Sequence, residues 1–308
     1  MSKVNRVLFA ARKQIRGRSL EPRPPGRLPT PAGPRARFPG LWTVCLMAGA
    51  ALAGCSSSIP ADPVPPHDAL AIESEAVNEL RRIAVYVPPG YEGGSQAYPV
   101  LYMPDGGVGE DFPHIANTID ALIQEGAIAP LLVVGIENTE RARDLTPDSR
   151  TDYDRQFAPD TDGASAFRTF IRDELIPEIE RRYRTTGERA IVGESTAGLF
   201  VMDTLFREPD LFDRYIAMDP ALWWDDHALV RRAEARLPGL AGKGRTLWFA
   251  GSDAEDIHLH TNALAAVLQA HAPADLRWIY APRPEEQHRT IFRATKAEAF
   301  RWALWGAR

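Results

Sequence analysis

Ala190-Ile191-Val192-Gly193-Glu194-Ser195-Thr196-Ala197-Gly198 decides the reading of this chain. Ala190–Val192 is apolar and reads as a short buried strand. Thr196 onward (Thr-Ala-Gly-Leu-Phe-Val-Met-Asp-Thr-Leu-Phe) reads as a helix with an apolar stripe. Between them lies a small-x-Ser-x-small turn. A serine hydroxyl is a weak nucleophile unless it is held exposed beside a base. A sharp strand-to-helix turn holds it so, and the crowded backbone demands small residues two positions to either side. The helix N-terminus adds backbone N–H groups that can stabilise an oxyanion. The usual form is G-x-S-x-G, and here the second glycine is Ala197. On the motif alone, Ser195 could also simply cap the following helix.

The rest of the 308-residue chain supplies the context. Residues 1–54 carry ten Lys/Arg against a single acid, Glu21, while the remainder carries 26 basic against 40 acidic residues, a net of −14. A domain this acidic is a poor partner for nucleic acid. Both cysteines lie near the N-terminus, so they form no disulfide framework. A basic region, a short apolar stretch (Leu41–Leu52) and Leu52-Ala53-Gly54-Cys55 match a bacterial lipoprotein signal. Residues 1–54 are then expected to be removed and Cys55 to be lipidated. Ser56–His67 is rich in Ser and Pro and is expected to be an extended tether. The domain is expected from residue 68 to 308, exported and anchored on the periplasmic side. Ser56 after the cysteine resembles the pattern sorted to the outer membrane. Oligomeric state is not legible.

Beyond residue 68, apolar strands alternate with amphipathic helices. The strands are read at Ile83–Val87, Tyr98–Met103, Leu131–Ile136, Tyr215–Met218, Thr246–Ala250 and Leu276–Tyr280. The helices are read at Phe112–Glu125, Ala166–Tyr183, after Ser195, at Thr261–His271 and at Thr290–Trp305. This alternation predicts an α/β fold with a mostly parallel sheet covered on both faces. The polar stretch Glu137–Asp162 is expected to be a long functional loop.

A serine hydrolase of this architecture places an acid and then a histidine after the serine. Of the five histidines beyond Ser195, His288 stands between the last strand and the last helix, where the base belongs. The acid is expected in Gly251-Ser-Asp253-Ala-Glu255-Asp256, with Asp256 preferred over Asp253 and Glu255. The oxyanion hole is expected from the N–H groups of Thr196 and Gly107, the latter in the turn after Met103. His258-x-His260 lacks a further ligand of matching spacing, so no metal site is expected. Trp223 and Trp224 suit either a substrate wall or a packed aromatic corner. Arg141 and Arg143 suit an anionic substrate group or ion pairs with Asp144, Asp148 or Asp152.

Several stretches in order resemble the putative-esterase family of α/β-hydrolases, which includes esterase D, ferric enterobactin esterases and antigen 85. They are Val85-Tyr-Val-Pro-Pro-Gly-Tyr91, Tyr98-Pro-Val-Leu-Tyr-Met-Pro-Asp-Gly106, Glu174-Leu-Ile-Pro-Glu-Ile-Glu180, Gly193-Glu-Ser-Thr-Ala-Gly-Leu-Phe200, Pro209-Asp-Leu-Phe-Asp-Arg-Tyr215, Pro220-Ala-Leu-Trp-Trp224 and Glu286-Gln-His288. The resemblance implies a Ser/His hydrolase acting on esters without a cofactor. Siderophore lactones, glycan esters and short acyl esters are all open as substrates. Glu194 stands where the family often has His, and Asp219-Pro220 where Ser-Pro is common. An acyltransferase with the same residues, or a non-catalytic binding lipoprotein on a hydrolase scaffold, are the alternative readings.

Overall fold

The structure is a computed structural model, and it describes residues 62–158 and 162–306. The expected signal segment, Cys55 and the first part of the tether lie outside the described residues. Eight strands form one sheet in the order β1-β2-β4-β3-β5-β6-β7-β8. They are β1 (Asp68–Ser74), β2 (Glu79–Tyr86), β3 (Tyr98–Met103), β4 (Leu132–Ile136), β5 (Thr185–Glu194), β6 (Arg214–Met218), β7 (Thr246–Gly251) and β8 (Arg277–Pro282). From β4 to β8 every pairing is parallel; β1 and β2 add an antiparallel edge. The α/β-hydrolase architecture expected from the sequence is present.

The periodicity of the strands explains the two-faced core. In β6, Tyr215 and Ala217 enter one apolar cluster while Ile216 and Met218 enter the other. On one face lie α1 (Phe112–Gln124) and α8 (Ile291–Ala303), with Ile115, Ile119 and Phe300 fully buried. On the other lie α2 (Arg141–Leu145), α3 (Gly163–Phe170), α4 (Ile176–Arg182), α5 (Thr196–Arg207), α6 (Trp224–Arg236) and α7 (Glu255–His271). A π-helical turn at Ile171–Leu175 joins α3 to α4, so the single helix expected at 166–183 is three segments. The central strands β3 and β4 are buried along their whole length, which accounts for their unbroken apolar sequence.

Further elements differ from the sequence reading or were not part of it. Strand β1 is an edge strand, mostly exposed or half-exposed, and carries too little apolar pattern to be seen. Helix α6 opens with three residues in the left-handed region, Asp225, Asp226 and His227, at φ of 51, 50 and 48°. Helix α7 begins at Glu255, six residues before the expected start, with Glu255 and Asp256 in its first turn. Acidic side chains are favourable there because they face the positive end of the helix dipole. Residues 62–67 have no regular structure yet lie against the domain. Asp62 pairs with Arg293 at 2.6 Å, and the Pro63 carbonyl accepts from Asn117 Nδ2 at 2.8 Å.

Candidate active site

The strands β5, β6, β7 and β8 run parallel, so the loops after them share one edge of the sheet. This is the edge where open α/β sheets bind their ligands. Ser195 follows β5 immediately, with φ of 58° and ψ of −119°. An L-residue held there costs on the order of 1–3 kcal/mol, a strain that the surrounding structure must impose. It does so through Ser195 N–H, which donates to the Met218 carbonyl at 3.0 Å, and Ser195 C=O, which accepts from Ala221 N at 3.0 Å. Gly193 is required: a Cβ there would stand 2.6 Å from the Ala197 carbonyl carbon and 2.8 Å from the Ala197 Cβ. The methyl of Ala197 is thus accommodated because its partner across the turn has no side chain.

His288 lies in the loop between β8 and α8, and its Nε2 is 3.1 Å from Ser195 Oγ. Its Nδ1 is 2.8 Å from Asp219 Oδ2. The partner of His288 is therefore Asp219 and not Asp256. Asp219 is the first residue after β6 and is completely buried. Its φ of 45° turns the carboxylate toward the loop after β7. There Ser252 N–H donates to Oδ1 at 2.5 Å and Ser252 Oγ–H donates to Oδ2 at 2.6 Å. Asp219 N–H donates to Ala250 C=O at 3.0 Å, fixing the turn itself. Asp253, Glu255 and Asp256 are all exposed. The early start of α7 places Asp256 on a helix turn in solvent, which is why it does not serve the imidazole.

Asp219 holds the His288 pKa above the ordinary 6.5, first through their hydrogen bond; burial opposes the shift and the charges of Asp219 and Glu194 add to it. Glu194, half-buried next to Ser195, is pushed up to about 7, mainly by burial; the His288 charge opposes the shift and the charges of Asp111, Asp219 and Asp105 add to it. The imidazole thus sits between the buried Asp219 carboxylate, bonded to Nδ1, and Glu194, which titrates near neutrality.

Thr196 opens α5, where the first N–H groups have no partner within the helix. Gly107 is in the turn after β3, with its N–H donating to Glu110 Oε2 at 2.7 Å. An oxyanion using that N–H must take it over from Glu110. Glu110 is itself held by Asn138, whose Nδ2 donates to Oε1 at 2.9 Å. The preceding Gly106 donates to the Ile136 carbonyl at 2.9 Å, and any Cβ on it would meet the Gly135 Cα at 2.4 Å. The turn is thereby pressed onto the end of β4.

Arg141 and Arg143 are both ion-paired, Arg143 with Asp144 as expected and Arg141 with a carboxylate outside the segment. Arg141 makes a two-pronged bond to Asp105, at 2.7 and 2.8 Å. Arg143 bonds Glu79 at 2.6 Å and Asp144 at 2.8 Å. Trp224 is a packed corner, buried with its Nε1–H on the Pro147 carbonyl at 2.9 Å. Trp223 is half-buried and meets the rings of Tyr153 and Phe157. Among the described residues no group of three or more His, Cys, Asp or Glu side chains is placed to hold a metal ion.

A family model, described as "Putative esterase", matches residues 74–282. The chain belongs to this family. It is 30% identical, with a TM-score of 0.71, to the crystal structure of an IroE-like serine hydrolase from Shewanella oneidensis, covering 77% of this chain and 79% of that one. It is 30% identical over 182 residues to the ferri-bacillibactin esterase BesA of Bacillus subtilis, covering 51% of this chain and 60% of the relative. A siderophore enterobactin esterase of Emericella nidulans is 34% identical over 82 residues, 26% of this chain and 27% of the relative. The chain thus spans less than two thirds of these curated relatives. Across the family stretch, Ser195 and Asp219 lie within the matched residues and His288 lies six residues beyond them.

Proposed function

We propose that this protein is a serine hydrolase of carboxylic esters that works through an acyl-enzyme. The observation that carries the reading is the unbroken Ser195–His288–Asp219 chain, at 3.1 and 2.8 Å. His288 Nε2 takes the Ser195 proton as Oγ attacks the ester carbonyl carbon. The resulting imidazolium is stabilised by Asp219 through Nδ1–H. Thr196 and Gly107 N–H groups receive the carbonyl oxygen as it becomes negative, with Gly107 giving up Glu110. His288 then passes its proton to the departing alkoxide, which leaves as the alcohol. A water deprotonated by His288 attacks the acyl-enzyme, releasing the acid and restoring Ser195.

His288 keeps 44% of its side chain exposed, so water reaches the base, which favours hydrolysis over transfer to another alcohol. The complete triad weighs against a purely binding role. A fluorophosphonate probe should label the wild type and not Ser195→Ala, and only the wild type should hydrolyse a short p-nitrophenyl ester. Wild-type protein that stays unlabelled would end the reading.

The relatives named as ferri-bacillibactin and siderophore enterobactin esterases support siderophore esters as the substrate class. Release of acid from such an ester, compared with acetylated sugars at equal concentration, tests that choice. Export and lipid anchoring through Cys55 rest on Leu52-Ala53-Gly54-Cys55 following an apolar run. Metabolic labelling with a fatty-acid analogue should mark the wild type and spare Cys55→Ser; equal labelling would refute the anchor.

A further inference from the structure

Of the exposed large apolar side chains among the described residues, Tyr153 and Phe157 are the only aromatic ones, at 59% and 54% exposure. They meet each other edge to face with centroids 5.1 Å apart, and both meet Trp223, at 6.1 and 6.3 Å. Two exposed rings would ordinarily fold inward, because burying a large apolar side chain is favourable by roughly 1.5–3 kcal/mol. Here the backbone beneath them is fixed. Asp154, next to Tyr153 and almost fully buried, accepts from Ser149 Oγ–H at 2.5 Å and from Asp225 N–H at 2.7 Å. Asp225 in turn accepts from Arg150 N–H at 2.8 Å. These bonds, with the Trp224–Pro147 bond, fasten the 147–157 segment to the first residues of α6, directly after the loop that follows β6. The left-handed turn at 225–227 is retained next to them.

That same loop is part of the catalytic machinery. It begins at Asp219, and its Ala221 N–H holds the Ser195 carbonyl two residues before Trp223. The aromatic trio is therefore tied, through Trp223, to the loop that holds the Ser195 backbone. Exposed apolar surface on a soluble protein marks a binding site when it is built in this way. Three rings are too few for a stable protein interface, which uses about 20–30 residues a side. They suit one small planar group. An aromatic ligand gains offset-stacked and edge-to-face contacts with such a wall that a saturated ring of equal area lacks.

We propose that Tyr153, Phe157 and Trp223 form a subsite for an aromatic ring carried by the ester, and so select aryl-bearing over aliphatic esters. The inference rests on the ester-hydrolase reading of Ser195. The probes are ethyl benzoate and ethyl cyclohexanecarboxylate, matched in size and in the alcohol released. After correction for their alkaline hydrolysis rates, the wild type should prefer the aryl ester by about 3- to 10-fold in kcat/KM, mostly through KM. Trp223→Leu and Tyr153→Leu should bring the two esters to within about twofold of each other, while Trp223→Phe retains the preference. Ligand-observed NMR on Ser195→Ala protein reads the same preference without turnover, so it decides the matter even if the hydrolase reading fails. Failure of that reading would show as wild-type protein that hydrolyses neither ester and takes up no fluorophosphonate label. Equal binding of the two esters to Ser195→Ala, or a wild-type preference that survives both leucine substitutions, would overturn the subsite. So would leucine variants that change only sedimentation, since that outcome assigns the rings to self-association.

Discussion

The loops after β6 and β7 lie side by side at the same edge of the sheet and treat their carboxylates in opposite ways. After β6, one carboxylate, Asp219, is completely buried, turned by a left-handed residue and held by Ser252 and His288. After β7, three carboxylates stand in solvent, and two of them open a helix. Number and nearness in sequence do not make a catalytic acid. What sets Asp219 apart is removal from water together with donors that pair both of its oxygens. The exposed loop contributes Ser252, which fastens the acid, and Asp253 N–H, which donates to the Glu286 carbonyl at 3.0 Å and steadies the segment carrying His288. One loop holds the charge and the other holds the frame.

Substitution can break this contrast outright. Ser195→Ala should lower kcat by about 10⁶-fold, leaving only what binding and the oxyanion donors supply. Asp219→Asn should lower kcat by about 10⁴-fold with little change in fold, because the amide would fix the wrong imidazole tautomer. Asp253→Asn, Glu255→Gln and Asp256→Asn should each remain within about threefold of wild type, since no buried partner depends on them. Steady-state kinetics on one ester covers all five variants. A large loss at Asp256 with none at Asp219 would reverse the assignment.

Ser252→Ala sharpens the contrast. It deletes the hydroxyl donor to Asp219 Oδ2 and leaves the backbone donor to Oδ1 in place. One charge-assisted bond of this kind is worth about 1.5–3 kcal/mol, so kcat should fall by roughly 10- to 100-fold with KM nearly unchanged. A change confined to KM would show that Ser252 touches substrate and does not act through the acid.

The smallest effect is one of pH. His288 must be neutral to act as a base, and its pKa is raised, so activity should climb through a midpoint above 6.5. The charge of Glu194 favours the imidazolium. Glu194→Gln removes that charge, lets the His288 pKa fall, and should move the acid limb of kcat/KM to lower pH by up to about one unit. A limb that stays in place or moves upward would show that Glu194 has no electrostatic hold on the base.

The parts of this site that were legible in the sequence are local. Gly193-Glu-Ser-Thr-Ala197 encodes its own turn, and His288 occupies the gap between a strand and a helix that both have clear periodicity. Asp219 depends on register. The pairing of Met218 with Ala250 puts the end of β6 beside the end of β7 and hence beside Ser252. No pattern within the chain reports that alignment. The one local clue was Asp219-Pro220 standing where the family commonly has Ser-Pro. The same limit applies to Gly107, whose glycine is plain in the sequence while the claim of Glu110 on its N–H is not. The start of helix α7 is hidden in the sequence because its acidic first turn has the composition of a loop, although acids at a helix start are also what the dipole favours.

The left-handed turn at Asp225, Asp226 and His227 has a consequence for heat tolerance. Three successive L-residues there each carry on the order of 1–2 kcal/mol that a glycine would not. Asp226 is exposed and engages only surface partners such as Arg231. Asp226→Gly should therefore raise the melting temperature by a few degrees, readable by calorimetry, with the added freedom of the unfolded glycine subtracting part of the gain. The position is thus a starting point for hardening the enzyme for industrial temperatures.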